Sequence, residues 1–103
     1  MGKKRIAING FGRIGRLTFR NLMNNPDIDI VAINDLTDNA TIAHLLKYDS
    51  AHGKLDAKVS YTDKTITVDS DRFAALSERN PAALPWKEMN IDVVVESTGF
   101  FTS

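Results

Sequence analysis

The sequence predicts an α/β fold with a mostly parallel sheet, and three patterns in its 103 residues indicate that class. Short, continuous apolar runs are typical of strands that are buried on both faces, as in parallel sheets. Apolar residues at helical spacing follow the first two of these runs. A stretch that alternates apolar and polar residues then predicts an antiparallel hairpin before the last strand. The resulting order of strand, helix, strand, helix, hairpin and strand is typical of α/β proteins.

The apolar pattern also places the elements along the chain. The first helix ends near Pro26, because the residue before a proline is pushed out of the α region. In the second helix, Ile42, Leu45 and Leu46 recur at the i, i+3, i+4 spacing that is typical of a helix. The hairpin turn near Asp63-Lys64 lacks the glycine that the favoured two-residue turns require, so its length stays open. In order, the elements are a strand at 6–8, a helix at 11–24, a strand at 28–34, a helix at 38–48, a hairpin with strands around 59–61 and 66–68, and strands at 73–76 and 91–96.

Composition and charge exclude several classes of function. Thirteen Lys and Arg balance thirteen Asp and Glu, so no basic field indicates nucleic acid or an anionic membrane as a partner. The absence of cysteine excludes disulfides, thiolate metal sites and a cysteine nucleophile among these residues. Neither His44 nor His52 has neighbours at the spacing of a catalytic triad or a metal site, so no catalytic or metal-binding residue is predicted. No apolar run approaches the ~20 residues that span a bilayer, and a cytoplasmic location is expected.

A glycine-rich turn carries the strongest functional signal. Gly10, Gly12 and Gly15 form a Gly-x-Gly-x-x-Gly pattern, which directly follows a buried strand and opens an amphipathic helix. In dinucleotide-binding folds the first glycine permits the tight turn, the second lets the backbone approach a pyrophosphate, and the third lets the helix pack closely. The N–H groups at the helix start would then bind the phosphates, and Arg13 either pairs with them or is solvated. The alternative is a glycine-rich turn without a ligand.

Asp35 follows the second strand, 20 residues after Gly15. Dinucleotide-binding folds place at this distance a carboxylate that accepts hydrogen bonds from a ribose hydroxyl. Because a carboxylate there would repel a 2′-phosphate, NAD is predicted as the cofactor in preference to NADP. The alternatives are that Asp35 caps the next turn and that Asn34 beside it only stabilises that turn. Residues 97–99 close the last strand at the carboxyl edge, where open α/β sheets bind ligands, although a plain strand-ending turn has the same pattern.

Several longer motifs resemble one family closely. The segments Asn9–Arg16 (NGFGRIGR) and Leu46–Gly53 (LKYDSAHG) are specific to glyceraldehyde-3-phosphate dehydrogenases among dinucleotide-binding proteins. The order and spacing of the motifs agree with that family along all 103 residues. The other segments that carry the resemblance are 33–36 (INDL), 77–81 (SERNP), 84–86 (LPW) and 96–101 (ESTGFF). Asn80 departs from the family, which usually has aspartate before the proline, and is expected only to alter a turn.

The resemblance implies an enzyme that oxidises and phosphorylates glyceraldehyde 3-phosphate with NAD in glycolysis, as a homotetramer. It implies NAD contacts from Arg13 and Ile14 in the glycine turn, from Asp35 to the adenosine ribose, from Arg79 near the adenine, and from Thr98-Gly99. The family's thiolate nucleophile and histidine base have no counterpart in this sequence. Together, motif and resemblance give these candidate cofactor-binding residues: Gly10, Phe11, Gly12, Arg13, Ile14, Asn34, Asp35, Arg79, Thr98 and Gly99.

Family members are longer than this chain and consist of a cofactor-binding and a catalytic domain. Residues 1–103 are therefore expected to form the first part of an NAD(P)-binding Rossmann domain, without the catalytic domain, and to be inactive alone. We expect weak NAD binding or none, because the half that holds the nicotinamide is absent. We also expect self-association, because the strand at 93–95 would keep an unpaired apolar edge. The alternatives are a stand-alone nucleotide-binding or assembly module of the same fold and an unrelated two-domain dehydrogenase that shares only the glycine fingerprint.

Overall fold

A computed structural model of the chain describes residues 3–23, 25–48, 58–69 and 71–97. Within these ranges the order of elements is the predicted one, with strands and helices alternating before a hairpin. The elements are β1 (Lys4–Asn9), α1 (Arg13–Leu22), β2 (Ile28–Asn34), α2 (Asn39–Tyr48), β3 (Val59–Tyr61), β4 (Thr65–Val68), β5 (Asp71–Leu76), a short 3-10 turn (Pro81–Ala83) and β6 (Val93–Glu96).

The six described strands form one mixed sheet in the order β3-β4-β5-β2-β1-β6. β1 pairs in parallel with β2 and β6, and β2 pairs in parallel with β5, whereas the β3–β4 hairpin joins β5 antiparallel. The prediction of a mostly parallel α/β sheet of the Rossmann type, with an inserted antiparallel hairpin, is therefore confirmed. The chain leaves β1 towards β2 on one side and reaches β6 on the other, so the carboxyl ends of β1 and β6 border a topological switch point, where open α/β sheets bind ligands.

The core packs the two helices against one face of the sheet. Phe19 of α1 is 2% exposed, and its ring centroid lies 5.9 Å from that of Phe11 and 5.1 Å from that of Phe73. A side-chain nitrogen of Arg20 donates a hydrogen bond of 2.8 Å to the Leu46 carbonyl near the end of α2. The two helices therefore lie side by side, with aromatic rings between α1 and the sheet.

The buried face of α2 includes only part of its apolar pattern. Ile42 and Leu46 of this pattern are buried, whereas Leu45 is 36% exposed. Ala43 is buried instead, with 6% exposure. α2 packs against β3 and β4 of the hairpin, and Leu45 lies at the surface of the described fold.

The hairpin turn closes without glycine. Asp63 and Lys64 form a two-residue loop, and the Thr62 N–H donates to the Thr65 carbonyl at 2.9 Å. The Thr62 hydroxyl oxygen accepts the Lys64 N–H at 3.2 Å and shares a 2.7 Å hydrogen bond with the Thr65 hydroxyl. Threonine side chains thus supply the hydrogen bonds that stabilise this turn, which explains why its sequence lacks the usual signal.

The outer strand β6 is shorter than predicted at its start. The Asp92 side chain accepts the Arg5 N–H at 2.8 Å, while the Asp92 N–H donates to the Arg5 carbonyl at 2.8 Å. The Asp92 carboxylate thus accepts the Arg5 N–H, which in a regular sheet would donate to a backbone carbonyl of the neighbouring strand. Regular pairing of β6 with β1 therefore begins at Val93 rather than Ile91. The loop that contains His52 lies outside the described residues.

Acid is expected to weaken the start of α2 through Asp38. The Asp38 carboxylate accepts the Thr41 N–H at 2.9 Å and the Thr41 hydroxyl at 3.0 Å, and these bonds lower the pKa of Asp38 below its ordinary value of 3.8. Because the folded-state pKa is depressed, this stabilisation is complete above 3.8 and is lost as the pH falls through the folded value.

The variant Asp38→Asn tests this pH dependence, because asparagine also caps helices but does not titrate. Thermal unfolding followed by circular dichroism from about pH 5 to about pH 2 should show a shallower fall of Tm for the variant than for the unaltered protein. Equal slopes would show that the Asp38 cap does not contribute to acid sensitivity.

Candidate functional site

The turn after β1 is held between the two neighbouring strands. Gly10 has a φ of 91°, a left-handed conformation that glycine adopts readily and other residues rarely do. The Gly10 N–H donates to the Asn34 carbonyl of β2 at 2.7 Å. On the other side, the Ser97 hydroxyl contacts the carbonyl oxygens of Gly10 and Asn9, the latter at 3.1 Å. The turn therefore has a fixed position at the carboxyl ends of β1, β2 and β6.

Gly15 allows helix α1 to begin directly against this turn. A Cβ atom at position 15 would overlap the Gly10 carbonyl oxygen and would lie 3.2 Å from both the Gly10 carbonyl carbon and Ser97 Oγ. The overlapping atom belongs to the backbone, which is itself hydrogen-bonded to Ser97 and has little room to move. The close-packing role that the sequence predicts for Gly15 is confirmed.

The start of α1 presents backbone N–H groups at the same sheet edge. Gly12 is the N-cap residue, it has no side chain to bond the first turn, and its carbonyl accepts the Arg16 N–H at 2.9 Å. The first turn contains no acidic residue, and Arg13 and Ile14 are exposed there. The first N–H groups of a helix have no acceptor within the helix and lie at the positive end of its dipole, an arrangement that favours a bound anion.

Asp35 lies next to the glycine turn although 24 positions separate it from Phe11. One Asp35 carboxylate oxygen accepts the Phe11 N–H at 2.6 Å, and the other accepts the Thr37 N–H at 2.9 Å. The residue is half-buried. Each carboxylate oxygen has more than one acceptor site, so Asp35 can still accept hydrogen bonds from a ligand hydroxyl.

Asn34 directs its side chain into the protein. It is 5% exposed, and its amide nitrogen donates to the Asn9 side-chain oxygen at 2.9 Å and to the Glu78 carbonyl at 3.0 Å. Its side-chain oxygen accepts the Glu78 N–H at 2.9 Å. The Asn9 amide nitrogen in turn donates to the Glu96 carboxylate at 2.9 Å. These four residues form a continuous line of hydrogen bonds across the carboxyl edge of the sheet.

Arg79 is brought to the same edge by the pairing of β5 with β2. The two strands are parallel, and the Asp35 N–H donates to the carbonyl of Leu76, the last residue of β5, at 3.0 Å. Arg79 follows three positions later with an exposed side chain. The structure thus brings together the glycine turn, Asp35 and Arg79, whereas Thr98 and Gly99 lie outside the described residues.

Sequence reasoning missed two residues of this edge, Asn9 and Glu96. Each directly follows an apolar run of three residues, Ile6–Ile8 or Val93–Val95, and Asn9 is only 8% exposed. A polar residue at the last position of a buried strand is the signal that could have identified them, because a buried amide requires hydrogen-bond partners. Ser97 was expected at a ligand-binding edge and is found holding the glycine turn.

The described part of the chain contains neither a metal-binding cluster nor a membrane-spanning helix. No group of three or more His, Asp or Glu side chains is close enough to hold a metal ion there. Within the same residues, no helix has both the length and the apolar character needed to cross a bilayer.

Comparison with known proteins gives one consistent result. Residues 4–103 match the family model described as the NAD-binding domain of glyceraldehyde 3-phosphate dehydrogenase. The chain is 60% identical over 99 residues to glyceraldehyde-3-phosphate dehydrogenase of Mycoplasma pneumoniae, which covers 96% of this chain and 29% of the relative. It is 61% identical over 99 residues to that of Streptomyces coelicolor, with coverage of 95% and 30%. For Thermotoga maritima the identity is 56% over 99 residues, with coverage of 94% and 30%.

Proposed function

Because the chain belongs to the glyceraldehyde-3-phosphate dehydrogenase family, we propose that it binds NAD at the carboxyl edge of its sheet, with the diphosphate on the glycine turn. The observation that carries this proposal is that helix α1 packs directly against the turn at Gly10. The contact is made at Gly15, where a side chain would fill the space between helix and turn. A turn this close to a helix start lets a diphosphate approach the backbone N–H groups.

The donor and acceptor groups fit an adenine dinucleotide. The N–H groups at Gly12, Arg13 and Ile14 would hold the diphosphate, and the Arg13 guanidinium would add a charge-assisted contact. The Asp35 carboxylate would accept hydrogen bonds from the adenosine ribose and would repel a 2′-phosphate. The resemblance to the family adds Arg79 near the adenine. Gly10 and Phe11 would shape the turn, and the residues Thr98 and Gly99 would complete the cofactor contacts.

When bound, NAD supplies the acceptor for a hydride. The role of this chain's residues is to bind and orient the adenosine and diphosphate parts of the cofactor. None of the 103 residues is assigned to catalysis, because the sequence has no cysteine that could act as the family's thiolate nucleophile. We therefore expect these residues alone not to oxidise substrate.

The chain spans about 30% of the length of the curated relatives it matches. We propose that residues 1–103 form the first part of the NAD-binding domain of a cytoplasmic glycolytic enzyme that oxidises and phosphorylates glyceraldehyde 3-phosphate. The mass of the protein in its source tests this: a mass well above 11.4 kDa supports the larger enzyme, and a mass of 11.4 kDa supports a stand-alone nucleotide-binding or assembly module.

We also propose self-association, since β6 is the last strand on its side of the described sheet and Val93 and Val94 are 42% and 37% exposed. An apolar edge strand pairs readily with another strand. Light scattering at increasing protein concentration should show a rising average mass. A constant monomer mass would contradict this proposal.

Calorimetric titration of the purified protein with NAD, ADP-ribose and NADP tests the cofactor proposal. We expect NAD to bind weakly, because residues 1–103 supply only the first part of the expected domain. It should still bind more tightly than NADP, because a 2′-phosphate would meet the Asp35 carboxylate. ADP-ribose should retain part of the NAD affinity, because it carries the diphosphate, the adenosine ribose expected at Asp35 and the adenine expected near Arg79. Failure of all three ligands to bind, or tighter binding of NADP, would contradict the proposal.

A further inference from the structure

Four polar groups form one line of hydrogen bonds along the carboxyl edge of the sheet. Asn9 is paired in register with Asn34 of β2 and with Glu96 of β6. The line runs from the Glu96 carboxylate to the Asn9 amide, then to the Asn34 amide, and ends on both backbone groups of Glu78. It therefore connects the residue directly before the glycine turn with the residue directly before Arg79.

The chemistry of the groups fixes the orientation of both amides. A carboxylate only accepts hydrogen bonds, so Asn9 must direct its NH₂ group towards Glu96 and its oxygen towards Asn34. Asn34 must then direct its NH₂ group towards Asn9, which leaves its oxygen facing the Glu78 N–H. Both asparagines are less than a tenth exposed, so water cannot readily replace these partners.

We propose that Asn34 is a positioning residue, whose carboxamide sets the distance between the glycine turn and the segment 77–80. The proposal rests on the proposed binding of NAD, whose diphosphate and adenine would occupy these two places. In this role Asn34 acts through Asn9 and Glu78, because its amide donates both of its hydrogens to them. Loss of the Asn34 carboxamide should therefore reduce the affinity for a ligand that spans both the glycine turn and the segment 77–80 more than the affinity for a ligand that binds the turn alone.

The isosteric change Asn34→Asp tests this role. A carboxylate oxygen would replace an NH₂ group that lies 2.9 Å from the Asn9 oxygen and 3.0 Å from the Glu78 carbonyl, so acceptors would face acceptors. The segment that follows Glu78 should then move away from β2. The turn itself keeps its backbone bond from the Gly10 N–H to the Asn34 carbonyl, which the substitution does not change.

Asn39→Asp is the matched control. The Asn39 amide also donates to a backbone carbonyl, that of Thr62 at 2.8 Å, but this contact joins α2 to the hairpin. NAD and inorganic pyrophosphate are titrated into each variant at a temperature where circular dichroism shows it folded. For Asn34→Asp we expect NAD affinity to fall at least tenfold and pyrophosphate affinity to stay within about twofold. For Asn39→Asp both affinities should stay within about twofold.

Each other outcome overturns the proposal. Equal losses of NAD and pyrophosphate affinity would show that the turn itself depends on Asn34. Unchanged NAD affinity would show that Asn34 has no positioning role, while the proposed function stands. Absence of NAD binding by the unaltered protein would overturn both.

A second pair of variants leaves the buried Asn34 side chain unchanged and tests the proposal even if Asn34→Asp fails to fold. Glu78 is exposed, and Glu78→Pro removes the N–H that donates to Asn34, whereas Glu78→Ala retains it. Both variants lose the side-chain bond from the Asn80 N–H to the Glu78 carboxylate, so they differ in the Glu78 N–H. Glu78→Pro should bind NAD at least tenfold more weakly than Glu78→Ala, and the pyrophosphate affinities of the two variants should agree within about twofold. Equal NAD affinities in the two variants would overturn the proposal.

Discussion

Replacing Gly15 by alanine is expected to reduce NAD affinity at least tenfold and to lower the free energy of unfolding by about 1–3 kcal/mol, the usual cost of overpacking a closely packed site. The added Cβ would overlap the Gly10 carbonyl oxygen. That oxygen is held by the Ser97 hydroxyl, and the Gly10 N–H is held by β2, so the start of α1 must move instead. Its N–H groups would then leave the position where a diphosphate is expected.

The sign of the change in the free energy of unfolding of Gly15→Ala distinguishes the steric effect of the added Cβ from the effect of helix propensity. Alanine is favoured over glycine by about 1 kcal/mol in an unconstrained helix, so propensity alone would stabilise the Gly15→Ala variant. The control Asn21→Ala changes an exposed position of the same helix and should leave NAD affinity unchanged. Urea unfolding and calorimetric titration measure the two quantities. A stability gain with unchanged NAD affinity for Gly15→Ala would contradict the close-packing role.

The glycine turn could be predicted because its requirements are local. The conformation of Gly10 and the close approach at Gly15 each exclude side chains, so they leave a pattern in neighbouring positions of the sequence. The bounds of β2 followed from an apolar run in the same way. Asp35 was found because a fixed number of residues separates it from the turn in this fold class.

The line of hydrogen bonds through Asn34 could not be predicted, because it joins residues that are distant in sequence. Asn9 and Glu96 are 87 positions apart, and Asn34 and Glu78 are 44 apart. Their pairing depends on strand order and register, which single-residue patterns do not specify. Helical spacing likewise cannot show that Leu45 is exposed while Ala43 is buried, because this depends on how α2 lies against the rest of the fold.

Replacing Asp35 by asparagine is expected to lower NAD affinity about ten- to a hundredfold, because hydrogen bonds to a charged group contribute about 1.5–3 kcal/mol and each 1.4 kcal/mol is a factor of ten. Both carboxylate oxygens already accept backbone N–H groups, from Phe11 and Thr37. In either orientation the NH₂ group of asparagine would face one of these donors. The substitution therefore disturbs the local turn as well as removing the negative charge that the ribose hydroxyls are expected to meet.

The comparison with NADP distinguishes the ribose contact from a purely local role. If Asp35 faces the adenosine ribose, removing its charge also removes the repulsion of the 2′-phosphate, so the preference for NAD over NADP should narrow in Asp35→Asn. Asp38→Asn is the control, since it makes the same change three positions away at an exposed helix cap. A loss of affinity that is equal for NAD and NADP would indicate that Asp35 only holds the turn. An unchanged preference in Asp38→Asn would exclude a general effect of net charge, because both variants remove one negative charge from the same edge of the sheet.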